Sequence, residues 1–165
     1  MAWTTPMTAV AFTPLSASDF NLHVRDNLAY LKDAVESREP GESYVSSTVS
    51  TTSDDFVTLT GGPEVSITTG TAALVSYSAK AWHNNWTAGG AVHMAFKVSG
   101  ATTMAAASRT ASTLQGLRGD NNQATLSWSG LVVGLTPGTN VFTSAYAESG
   151  GTASFSTRQL TVVPL

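Results

Sequence analysis

From Phe56 to Leu165 the chain is written in short runs of alternating apolar and polar residues, each cut off by turn chemistry before it can reach helical length. This most restricts the fold. Parallel strands need crossover helices between them, and none is available here, so parallel α/β architectures are excluded. FVTLT (56–60) meets a GGP turn and EVSIT (64–68) meets TGT. AALVSYSAKAW (72–82) and AVHMAFKVS (91–99) flank HNNWTAGG, and the spacing predicts a hairpin with a longer loop. Val75 and Tyr77 point inward on the first of these, with Ser76, Ser78 and Lys80 outward. Val92, Met94, Phe96 and Val98 form the inward set of the second. TTMAAAS (102–108) is a further candidate strand, and LQGLRGDNNQ (114–123) reads mostly as loop. QATLSWSGLVVGL (123–135) changes alternation phase near Gly130, as a β-bulge would cause. NVFTSAYAE (140–148) and ASFSTRQLTVV (153–163) complete the set. The expected fold is mainly β: an N-terminal arm and single α-helix followed by an antiparallel β-sandwich, jelly-roll or immunoglobulin-like.

The segment before residue 40 is a different kind of sequence. Ser18–Arg38 carries 7 of the chain's 19 charged side chains. Val24, Leu28, Leu31 and Val35 recur at spacings of four, three and four, drawing one apolar stripe along a helix, with Phe20 beside it. In a heptad reading Asn21 takes an a position, where a buried amide can fix register. Ser18 is the expected N-cap, with Ser16 its competitor. Arg25 and Asp26 have no opposite side chain of Lys, Arg, Asp or Glu three or four residues away. They are therefore expected either to pair outside the chain or to stay solvated. Glu39-Pro40-Gly41 ends the helix. The preceding arm holds Trp3, Phe12 and Leu15, which either fold back on the helix or dock elsewhere. The expected division is 1–39 for attachment and oligomerisation, 40–54 as a Ser/Thr-rich linker or edge strand, and 55–165 as the sandwich.

Composition removes several function classes. There are no cysteines, hence no disulfide framework or thiolate metal site. Residues 1–55 carry three basic and eight acidic side chains and residues 56–165 five basic and three acidic. Neither half holds a dense Lys/Arg patch, so nucleic acid is not an expected partner. No apolar run approaches the roughly 18 residues of a membrane span, and MAWTTPMTAV lacks the pattern of a secretory signal. No metalloprotease, nucleophile-elbow, Walker or dinucleotide motif occurs. No catalytic residue, metal or cofactor is expected: His83 and His93 have opposite parities and no third ligand beside them.

One loop could bind a ligand. Trp82, Asn84, Asn85 and Trp86 cluster there, and aromatic faces with amides can stack on and hydrogen-bond a sugar; loop packing is the plainer role. Asn85-Trp86-Thr87 is also a glycosylation sequon, and Arg118-Gly119-Asp120 spells an adhesion tripeptide, a three-residue match of low specificity.

The stretch from Trp3 to Lys32 resembles the N-terminal motif of structural proteins of tailed bacteriophages, particularly phages of actinobacteria. The resemblance rests on Trp3, Pro6, Ser18, Asn21, His23, Val24, Arg25, Asp26, Asn27, Leu28, Tyr30, Leu31 and Lys32, and above all on the run HVRDNLAYLK. Phe20 stands where such motifs usually carry Leu. VSGATT (98–103), GLTPGTNVFTSAY (134–146) and GGTASFSTRQLTVVPL (150–165) are similar to β modules on the same proteins. The resemblance implies a non-enzymatic virion component, of minor tail, fibre or capsid-decoration type, located in the virion. Its implied partners are its own copies, as a homotrimer, and other virion proteins. A host-surface glycan bound through the 82–90 loop is the alternative.

Overall fold

The computed structural model describes residues 4–5, 14, 16–36, 38–117 and 119–165. The chain divides into two compact units, Met1–Glu39 and Pro40–Leu165.

The first unit is built on one helix, α1 (17–36), made of α-helical Ala17–Phe20, a π-helical turn Asn21–Arg25 and α-helical Asp26–Glu36. Ser16, rather than Ser18, is the N-cap: its Oγ accepts the Asp19 backbone N–H at 3.1 Å. In the π turn the Asp26 N–H donates to the Asn21 carbonyl five residues earlier. The extra residue rotates the helix before the turn by about 100° relative to the helix after it, so the heptad register does not run through Asn21.

The second unit is a two-sheet antiparallel sandwich. Its strands are β1 (Gly41–Val45), β2 (Val49–Thr51), β3 (Glu64–Thr69), β4 (Ala72–His83), β5 (Ala91–Gly100), β6 (Ser112–Gln115), β7 (Ala124–Val133), β8 (Gly138–Ser149) and β9 (Ala153–Pro164). One sheet runs β1-β9-β4-β7, with β2 also on β9; the other runs β3-β8-β5-β6. The chain crosses between the sheets at nearly every connection, and this order makes the sandwich a jelly roll.

Several expectations change. β4 and β5 are not a hairpin: β4 pairs with β7 and β9, β5 with β6 and β8, and the 84–90 loop arches between sheets. The reason lies in their inward faces, which meet across the core instead of lying side by side. Residues 41–51 supply β1 and β2. Of FVTLT only Val57 makes a bridge, to Tyr146, and of TTMAAAS only Met104, to Val98. There is no bulge at Gly130. β7 pairs with β4 in unbroken register from Ala124 to Val133, with Leu126, Trp128 and Val132 inward. Leu131 and Val133 are apolar residues facing out, which imitates a phase change.

The bulge is in β9. Its register against β4 slips between Ser78↔Gln159 and Lys80↔Ser156, and Thr157 takes φ 51°. The extra residue lets both Phe155 and Leu160 reach the core, and it turns Arg158 inward with them. Around this point the core is aromatic. The Tyr146 and Phe155 rings lie 4.7 Å apart, Trp128 stacks on Tyr77 at 5.8 Å, and Phe96 leans on both Trp128 and Phe142. Fully burying each such ring contributes about 1.5–3 kcal/mol.

Candidate functional site

The 84–90 loop, the 116–123 loop and the 150–152 turn meet at one end of the jelly roll and are stitched together by side chains. His83 ends β4 facing inward and is fully buried, with Glu148 of β8 opposite it. The Asn85 backbone N–H donates to His83 Nδ1 at 3.0 Å, which places the ring proton on Nε2, 3.1 Å from Glu148 Oε2. The Gly151 N–H donates to the same carboxylate oxygen at 2.7 Å. Asn84 Oδ1 accepts the Thr152 N–H at 2.8 Å, and Asn85 Nδ2 donates to the Gly150 carbonyl at 2.8 Å. Trp86 is 2% exposed and donates its Nε1–H to the Asn122 carbonyl. Asp120 Oδ1 accepts from both the backbone N–H and the hydroxyl of Thr87.

These residues close a seam; they do not line a cleft. Trp86 has no ring face to offer a sugar, because it packs on His83 at 5.4 Å. Asn84 Oδ1 and Asn85 Nδ2 are both engaged by the neighbouring turn. Trp82 lies half-buried on the outer face, opposite Ser154. The carboxylate of the adhesion-like tripeptide is committed to Thr87; Arg118 lies outside the described residues. Gly90 shows how tight the seam is: an added Cβ would sit 2.3 Å from the His83 ring and 2.7 Å from the Asn85 carbonyl. His93 faces out on β5, away from His83, with Nδ1 2.8 Å from the Thr113 hydroxyl. Burial pushes the His93 ring below the usual histidine range, against the pull of Glu148.

Helix α1 presents the opposite situation. Phe20, Leu22, Val24, Leu28, Leu31 and Val35 are all exposed, Leu28 at 61% and Val35 at 71%. Asn21 is partly buried in the π turn. Arg25 and Asp26 pair with each other, guanidinium to carboxylate at 2.9 Å, an ion pair between sequence neighbours that leaves the Arg25 side chain largely exposed. Among its described side chains the helix buries only Asn27. That amide holds the arm at Thr4 through two hydrogen bonds of 2.9 Å, one to the carbonyl and one from the N–H. A third bond, to the His23 carbonyl, fixes its orientation. Trp3, Phe12 and Leu15 lie outside the described residues.

The sequence names Asn27 only as one position of the phage-like motif and gives it no role, because a single Asn on a helix carries no pattern of its own; Arg158 it does not single out at all. Arg158 had a signal, a charge at inward parity two residues from Leu160. It is fully buried, its guanidinium 3.2 Å from the Ser47 carbonyl and hydroxyl and 3.4 Å from the Gly61 carbonyl and the Tyr146 hydroxyl.

No family model matches the chain, and no curated protein matches it in sequence. Solved structures do match in shape. The Eiger TNF of S. frugiperda is 10% identical, aligns over 76% of this chain and 91% of that one, and gives a TM-score of 0.53. A chain of the infectious bursal disease virus particle is 10% identical over 76% of this chain, with a TM-score of 0.50. The match spans 31% of that longer viral chain. At such identity the likeness establishes a shared jelly-roll fold.

Proposed function

We propose that this chain is a non-enzymatic structural protein of a bacteriophage virion, a minor tail, fibre or capsid-decoration component. In this reading α1 and its arm attach the protein and assemble it as a homotrimer, and the jelly roll is displayed. The observation that carries it is the exposed apolar side of α1 in a chain whose jelly roll closes its own core. A helix of this length draws its stability from packing, and burying each Leu or Val of the stripe would contribute about 1.5–3 kcal/mol. The HVRDNLAYLK run supplies the phage assignment, and a jelly roll is at home in virus particles, as the viral neighbour illustrates. The closed seam at the 84–90 loop disfavours a glycan-binding role, which would have to rest on Trp82.

The test uses the full chain with Leu28→Asp and Leu31→Asp together. Its mass in solution should fall to the monomer or to a weaker oligomer, and its incorporation into particles should be lost, while the jelly roll melts at an unchanged temperature. Wild-type mass and incorporation would refute the role of α1; absence of the native protein from purified particles would refute the virion assignment.

A further inference from the structure

All the large apolar side chains left exposed among the described residues of Pro40–Leu165 lie on one surface, the outer face of the β1-β9-β4-β7 sheet. They are Tyr44, Leu74, Leu131, Val133 and Leu165. Register sorts this face into rows. Val133 and Ala72 stand side by side, and Leu165 continues the ladder by donating its N–H to the Ala72 carbonyl. Leu131, Leu74 and Val163 form the next row. Then the chemistry changes: Ser129, Ser76 and Thr161 make the third row, with Glu42 at its β1 edge, and Ser127, Ser78 and Gln159 the fourth, with Tyr44 at its β1 edge. Charge is nearly absent from this outer face, with Glu42 on the β1 edge bonded to Gln159 and Lys80 one row beyond the fourth. The outer face of the other sheet differs in kind, with Glu64, His93 and Lys97 on it and no exposed large apolar side chain among its described residues.

We propose that this face is a self-association surface and that its occupant is a second copy of the chain. The contact rests on reading the protein as a self-assembling structural component, but it is independent of α1. Three features favour a copy over a foreign partner. A hydroxyl both donates and accepts, so a Ser/Thr field is complementary to itself, which a field of one charge is not. The apolar rows sit at one end and the hydroxyl rows beyond them, so two like faces can bring apolar against apolar. The area suffices: three strands of about ten residues and the five of β1, at ~4.8 Å spacing and ~3.4 Å per residue, give a face of roughly 570 Å², near the ~600 Å² per partner at the lower end of stable interfaces.

Because the chain has no cysteine, single cysteines report on each face separately. Ser129→Cys probes the proposed contact, and Ser66→Cys, on β3 and also exposed, probes the other sheet. Each full-length variant is reacted with a maleimide across a dilution series. The Ser129→Cys thiol is expected to be protected at high concentration by about tenfold or more, as for a site occupied in over nine-tenths of the chains, and to lose protection on dilution. Ser66→Cys should react at one rate throughout. Adding Leu131→Lys to Ser129→Cys, which sets like charges face to face, should restore fast reaction. Equal rates for the two thiols at every concentration would overturn the proposal. An oligomeric mass with Ser129→Cys open would refute this surface and leave α1 as the assembly element. Protection of Ser129→Cys that survives Leu28→Asp and Leu31→Asp would support this surface as a contact independent of α1.

Discussion

Replacing Arg158 with Met tests whether a buried guanidinium held by neutral oxygens supports the jelly roll or merely burdens it. Arg158 sits just after the β9 bulge, and its four hydrogen-bond contacts, at 3.2–3.4 Å, are all to neutral oxygens. Its Nε has no partner among the described groups. Taking such an ion out of water costs several kcal/mol, and a hydrophobic substitute removes that cost. Against this, the substitution strands the Ser47 and Gly61 carbonyls and the Tyr146 hydroxyl, at about 1 kcal/mol each for partly buried groups. It also removes the cation from beside the Tyr146 ring, 5.8 Å away, worth about 0.5–1 kcal/mol. Met keeps most of the stem volume, so the cavity is small. The neutral residue also avoids the part of the desolvation cost that the four hydrogen bonds leave uncompensated, about 1–1.5 kcal/mol, leaving a destabilisation of about 2–3 kcal/mol. At about 2–4 °C per kcal/mol for a chain of this size, the melting temperature should fall by roughly 5–10 °C, measured by circular dichroism on the full chain. Hydrogen exchange should quicken first at 46–48 and 60–62, the two segments the guanidinium ties to β9. Arg158→Lys keeps the charge but loses the planar fork, and should fall between Met and wild type. A Met variant as stable as the native chain, or more so, would refute this reasoning and make desolvation the larger effect.

Two further outcomes concern the same core and the seam. Burial raises the hydroxyl pKa of Tyr77 far above the usual value, and that of Tyr146 as well, with Arg158 opposing the second. Both folded values lie above the unfolded one, so the stability they confer is complete below about pH 10 and drains as pH rises beyond it. The slope is about 1.4 kcal/mol per pH unit for each tyrosine. Urea denaturation at pH 9, 10 and 11 should show this decline, with Tyr77→Phe roughly halving it; a flat profile would contradict the burial of both hydroxyls. Gly90→Ala drives a methyl into His83 and the Asn85 carbonyl, and should cost about 1–3 kcal/mol while loosening Trp86, seen as a red-shifted fluorescence.

The sequence by itself determined much of this protein. Alternation placed Val75, Tyr77, Met94 and Phe96 in the core, because a period of two leaves a strand no other way to face a sandwich. The lack of any run after residue 40 that reads as a crossover helix required antiparallel sheets, and the Glu39-Pro40-Gly41 break coincides with the division between the two compact units. Tertiary structure decided what is non-local. Whether β4 pairs with β5 or faces it across the core depends on β7 and β9, which lie some 40 and 70 residues further along the chain. His83 and Glu148 are 65 residues apart, and only the meeting of three loops makes them partners. The π turn in α1 broke a heptad that spacing alone had drawn, and Arg25 found Asp26 where helical geometry offered nothing. Leu131 and Val133 mark the boundary most clearly. Their letters say only that they are apolar, and it took the register of three strands to turn an apparent bulge into two rows of an exposed apolar face.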